Sequence, residues 1–119
     1  MKKVLIIDDD VRVCEELSEF LIRNKYEVFS ATKPSTAFQI LAAQPIDILF
    51  LDFTLPEMDG LQILKIMTRE HPEIKTIMIS GCADRTIVDE ARRSGAVEFI
   101  HKPFLPQQVN EVLKLSKKF

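Results

Sequence analysis

The sequence predicts a doubly wound α/β domain, a parallel sheet with helices on both faces. Three observations carry that expectation. Short β-rich runs alternate with helical patterns five times, the signature of βα units. The first, third and fourth runs are almost continuous in apolar residues, as strands buried on both faces must be. The chain has 119 residues, 46% of them apolar and 29% charged. A chain of that size buries roughly two thirds of its unfolded surface, so it can form a core without disulfides.

The first strand is expected over residues 3–8, where Val4-Leu5-Ile6-Ile7 runs into Asp8-Asp9-Asp10. The first helix follows from Val11 to Asn24, with Asp10 as N-cap and Val13, Leu17, Phe20 and Leu21 on one apolar face. The second strand, over 26–31, mixes polar and apolar residues and reads as an edge. Helix two begins at Pro34 or Ser35, ends before Pro45, and faces the core with Ala37, Phe38, Leu41 and Ala42. Strand three covers 47–52 and ends on Asp52. Helix three starts near Asp59-Gly60, turns Leu61, Leu64 and Met67 inward, and stops before Pro72. Strand four, over 75–80, ends on Ser80.

Helix four, from Asp84 to Ser94, has a thin stripe of Ile87, Val88 and Ala91 and stops at Gly95, a favoured residue type just past a helix end. Strand five spans 97–101 and is followed by Lys102-Pro103. The last helix starts around Pro106 with Val109, Val112, Leu113 and Ser116 at helical spacing. There is no repeat, linker or low-complexity stretch, so residues 1–119 are expected to form one domain.

The bulk chemistry excludes several classes. A net charge of −2 and a pI near 5.7 provide no concentrated basic surface, so direct nucleic-acid binding is not expected. Lys114, Lys117 and Lys118 read as cations complementing a helix end. Cys14 and Cys82 match no metal-ligand spacing with His71 or His101 and read as reduced residues of a cytoplasmic protein. Lys2-Lys3 begins like a signal peptide, but the aspartates end the apolar stretch too early, and no run is long enough to span a membrane.

In an open parallel sheet, ligands bind outside the carboxyl ends of the strands where the winding reverses. That rule brings Asp8-Asp9 beside Asp52. Three carboxylates at close range repel each other unless a cation intervenes. A hard divalent ion suits them: Mg2+ prefers oxygen ligands and commonly takes one or two carboxylates plus a phosphate.

Taken in order, Asp8-Asp9, Leu49-Phe50-Leu51-Asp52 with Leu55-Pro56-Glu57-Met58-Asp59-Gly60, Ser80-Gly81 and Lys102-Pro103-Phe104 resemble a response-regulator receiver domain of two-component signalling. The resemblance covers essentially the whole chain. It implies a flavodoxin-like (βα)5 fold with strand order 2-1-3-4-5. It also implies a phosphorylation-dependent switch in which Asp52 accepts the phosphoryl group from the phosphohistidine of a histidine kinase or from a phosphotransfer protein. Asp9, Asp52 and the Thr54 backbone carbonyl would ligate Mg2+ directly, with Asp8 acting through water. Lys102 and Ser80 would bind phosphoryl oxygens, the Lys102-Pro103 bond being typically cis, and Gly81 would let the backbone lie close to the phosphoryl group.

The resemblance further implies that Ser80 moves toward the phosphoryl group and Phe99 turns inward. The surface of helix four, strand five and helix five would then change for a downstream protein or effector domain, or for a phosphorylation-dependent homodimer. Thr54 and Cys82 fall where side chains line the path of the water that dephosphorylates the domain. It would be a regulatory domain that promotes its own phosphorylation and dephosphorylation rather than an enzyme.

Three other readings compete. A Mg2+-dependent phosphatase of haloacid-dehalogenase type usually needs a second acid two residues after Asp52, where Thr54 stands. A flavin carrier wants a Ser-, Thr- or Gly-rich loop after strand one, where the aspartates would repel its phosphate. A receiver fold used only for binding would not need the intact set Asp9, Asp52, Ser80 and Lys102.

Overall fold

The structure is a computed structural model that describes residues 1–81 and 84–116. Cys82, Ala83, Lys117, Lys118 and Phe119 lie outside the described residues, as does the side chain of Ser116. The elements run β1 (Lys3–Ile7), α1 (Val11–Arg23), β2 (Glu27–Ala31), α2 (Pro34–Ala43), β3 (Ile48–Asp52), α3 (Gly60–Glu70), β4 (Lys75–Ser80), α4 (Arg85–Arg93), β5 (Glu98–His101) and α5 (Pro106–Ser116). The five strands form one parallel sheet in the order β2-β1-β3-β4-β5, the expected topology, with β2 at an edge.

The alternation of side chains along each strand divides the core into two layers. Leu5, Ile7, Leu49, Leu51 and Met78 face α2, α3 and α4, meeting Ala37, Leu41, Ile63, Leu64, Met67 and Ala91. Val4, Ile6, Ile48, Phe50, Ile77, Ile79 and Ile100 face α1 and α5, meeting Leu17, Leu21, Val109, Val112 and Leu113. The winding therefore reverses between β1 and β3, which opens the crevice at their carboxyl ends.

Strands β2, β3 and β5 start one residue later than expected, and β1 ends one residue earlier. Tyr26, for instance, donates its N–H to Leu21 O and closes the end of α1 instead of joining β2. Asp10 caps α1 as expected, accepting from the Arg12 N–H at 2.9 Å, and Cys14 joins the buried face of that helix.

Two helix faces are corrected. In α2 the buried stripe is Pro34, Ala37 and Leu41, while Ala42 is exposed because it stands about 100° round the helix from Leu41. In α3 the stripe is Gly60, Ile63, Leu64 and Met67, which leaves Leu61 half-buried at its margin. Among the described residues no helix is long and apolar enough to cross a membrane.

Candidate functional site

The parallel register aligns the strand ends: Ile7 pairs with Leu51, Asp52 with Ile79, and Ser80 with His101. The residue following each apolar run therefore emerges at one edge of the sheet. Asp8, Asp9 and Asp52 each bring a carboxylate oxygen within 4.8 Å of the others. Asp8 is fully buried, Asp52 is 4% exposed and Ser80 1%, whereas Asp9 is open to solvent.

Local hydrogen bonds fix the two buried acids. Asp8 donates its N–H to Ala31 O at the end of β2, and its Oδ1 accepts from the Asp10 N–H at 2.9 Å. Behind it the Cys14 thiol donates to the Asp8 carbonyl at 3.4 Å. Asp52 Oδ1 accepts a long bond from the Thr54 N–H at 3.3 Å, and the next residue, Phe53, donates its N–H to Ile79 O of β4. Lys102 enters from the far side of the sheet. Its N–H is bound to Ser80 O at 2.8 Å, and its ammonium lies 2.6 Å from Asp8 Oδ2 and 3.5 Å from Asp52 Oδ2. The Lys102–Pro103 peptide bond is cis.

The electrostatics are unbalanced. Burial pushes the Asp52 carboxyl up to about 7, and the neighbouring Asp8 charge pushes the same way, against Lys102 and the Thr54 N–H. Burial alone would lower Lys102, but its close contact with Asp8 and the charges of both acids outweigh it and hold the ammonium above its usual value. The Cys14 thiol is pushed up to about 11 by burial, with Asp8 adding to the effect, which suits an inert core residue.

The donor set fits a divalent cation. Asp8 Oδ2 is sheltered from solvent and has no aligned hydrogen bond among the described residues; the ammonium beside it is an ion-pair contact. Three clustered carboxylates face one ammonium, so two more positive charges would neutralise them. The ligands are all oxygen, the preference of Mg2+.

The remaining expected residues take different positions. Thr54 is exposed beside Asp52. Phe99 is buried in the core layer shared with Ala91 of α4, already inward in this conformation, with its ring 5.4 Å from that of His101. At Gly81 a Cβ would meet, among the described protein atoms, only Lys102 Cβ, at an ordinary 3.8 Å. Cys82 lies outside the described residues. Gly60, which opens α3 and closes the Leu55-Pro56-Glu57-Met58-Asp59-Gly60 motif, packs directly on the backbone of Asp52 and Phe53. The Asp59-Gly60 pair marks a cap in sequence and carries no signal of that close approach.

Comparison with known proteins agrees with this geometry. Residues 4–114 match the response regulator receiver domain family. The transcriptional regulatory protein SrrA of Staphylococcus aureus (strain NCTC 8325 / PS 47) is 34% identical over 107 residues, which are 90% of this chain and 44% of SrrA. The chain thus spans less than half the length of the curated relatives it matches. Among solved structures, a CheY-like response regulator receiver domain protein from Methanospirillum hungatei JF-1 superposes with a TM-score of 0.91 at 27% identity, covering 98% of this chain and 95% of that one. The beryllofluoride-activated NtrC4 receiver domain dimer superposes with a TM-score of 0.92 at 26% identity, covering 98% and 96%.

Proposed function

The chain belongs to the response regulator receiver domain family, and on that premise we propose that residues 1–119 act as one phosphorylation-dependent signalling switch with Asp52 as phosphoacceptor. The observation that carries the proposal is the nearly buried Asp52 carboxylate within reach of two other acids and one ammonium. A histidine kinase or a phosphotransfer protein supplies the phosphohistidine. An Asp52 carboxylate oxygen attacks phosphorus, the N–P bond breaks, and the electron pair leaves with the imidazole, which takes up a proton. Such a transfer needs little covalent help from the protein; positioning and neutralisation of the equatorial oxygens dominate.

The residues divide that work. Asp9, Asp52 and the Thr54 carbonyl would hold Mg2+, with the buried Asp8 acting through a bound water. The ion, when bound, supplies positive charge that offsets the carboxylates and the incoming phosphoryl oxygens. Lys102 takes a second phosphoryl oxygen, exchanging its contact with Asp52 for it, and Ser80 hydrogen-bonds a third. Gly81 leaves the backbone beside Ser80 open to the phosphoryl group.

Return to the resting state is hydrolysis: water attacks phosphorus, the P–O bond to Asp52 breaks, and inorganic phosphate leaves with the carboxylate restored. Thr54 and Cys82 flank the route of that water and tune its rate.

The phosphoryl group can shift the protein only through different contacts in two conformations. In this reading Ser80 and Phe99 report its arrival to α4, β5 and α5, which present the changed surface to a downstream protein, an effector domain or a second copy of the chain. The core layer that Phe99 shares with Ala91 of α4 supports that route. A receiver that is a dimer when activated by beryllofluoride, as NtrC4 is, supports the last partner.

Intact mass after incubation with a small phosphodonor and Mg2+ tests the proposal. Wild type should gain one phosphoryl group and Asp52→Asn none; equal labelling of both, or no labelling with any donor, would overturn it.

A further inference from the structure

We infer that Gly60 is a positioning residue for the metal-binding carboxylates. The inference rests on the Mg2+ reading above and extends it to a residue that touches no ligand. Gly60 opens α3 and is buried against the end of β3. Its N–H donates to Phe53 O at 2.7 Å. A Cβ at this position would overlap Asp52 O and stand 2.7 Å from Phe53 Cα and 3.0 Å from Phe53 O. All three are main-chain atoms, so no side chain can swing aside to make room. The φ angle is not in the left-handed region, so the position requires room rather than conformational freedom.

The first turn of α3 is held to this place by a reciprocal cap. Asp59 Oδ1 accepts from the Gln62 N–H at 2.8 Å, and Gln62 Oε1 accepts from the Asp59 N–H at 3.3 Å. On the other side, Phe53 is bound to Ile79 O of β4 at 2.9 Å. The backbone that carries the Asp52 carboxylate is therefore gripped between β4 and the start of α3. Mg2+ demands near-ideal octahedral geometry at about 2.0–2.1 Å, so a shift of a few tenths of an ångström in Asp52 relative to Asp8 and Asp9 costs affinity before it costs the fold.

Gly95 provides the contrast. It has φ +117°, and a Cβ there would crowd Thr68 at the far ends of α3 and α4, away from the acids. The experiment is a Mg2+ titration of the thermal midpoint for wild type, Gly60→Ala, Asp59→Ala and Gly95→Ala, each referenced to its own value in chelator. Both glycine variants should melt lower in chelator. Gly60→Ala should bind Mg2+ at least about tenfold more weakly, in the range for loss of outer support to a metal site. Asp59→Ala, which only loosens the cap, should show a smaller loss in the same direction, and it decides the matter if Gly60→Ala does not fold. Gly95→Ala should keep wild-type affinity.

Wild-type affinity in both Gly60→Ala and Asp59→Ala, or an equal loss in Gly95→Ala, would overturn the inference and leave the Mg2+ reading standing. A wild-type midpoint that does not respond to Mg2+ would overturn both.

Discussion

At the scale of single residues, the site stores unfavourable charge. Asp52 is pushed up to about 7 from an ordinary 3.8, so between those pH values the folded protein holds a proton that the unfolded chain has released. Stability from this group therefore falls as pH rises through that window and stays low above it. In chelator, Asp52→Asn should match wild type near pH 4 and exceed it at pH 8 by roughly 2 kcal/mol, allowing for water that screens an open crevice. Paired denaturant melts at the two pH values check this, and a variant less stable than wild type at pH 8 would contradict it. Lys102→Ala should act oppositely, costing about 3 kcal/mol because it strips the buried Asp8 of its ion pair. The identity of these residues was legible because Asp8, Asp9, Asp52, Ser80 and Lys102 each follow an apolar run. Their inequality was not. That Asp8 is buried while Asp9 is open is decided by tertiary packing, in which the Asp8 main chain is bound to Ala31 O and to the Cys14 thiol.

At the scale of elements, caps and packing faces separate what pattern reveals from what it hides. Asp10, Asp59 and Asp84 all cap helices with side-chain bonds to backbone N–H groups, a local arrangement that sequence can announce. Faces are harder, since several rotations of an apolar helix look alike. In α3 the sheet selects the stripe from Gly60 through Ile63, Leu64 and Met67, because Gly60 must approach the backbone at Asp52 and Phe53.

Helix α4 is the least anchored, with Ala91 its one fully buried residue and Ile87 and Val88 half-buried. Its C-terminal end is nonetheless tied down: the Thr68 hydroxyl, shared between Ser94 O at 2.8 Å and Leu64 O at 3.0 Å, bridges the two helices, Gly95 packs against Thr68, and Arg92 lies 3.7 Å from Glu98 of β5. Thr68→Val should therefore lower stability by about 1 kcal/mol, the worth of one hydrogen bond, and speed hydrogen exchange in α4 more than in α3. Exchange mass spectrometry reads this, and a uniform change across both helices would contradict it.

At the scale of the molecule, β1, β3 and β4 are covered on both faces and form the centre of the sheet, with β2 and β5 at its edges. Native-state exchange should be slowest in those three strands and fastest in α4, since opening the centre requires loss of both core layers. Fold class and the meeting of acids with a lysine followed from the chain alone, because they depend on periodicity and on the rule that parallel strands present their carboxyl ends together, while the strand order followed from the resemblance of its motifs to a receiver domain. The pairing of Lys102 with Asp8 ahead of Asp52, the raised Asp52 carboxyl and the confinement of Gly60 followed only from the folded chain. Each is a distance of a few ångströms between residues far apart in sequence, and no local pattern encodes which atoms the packing of two layers will press together.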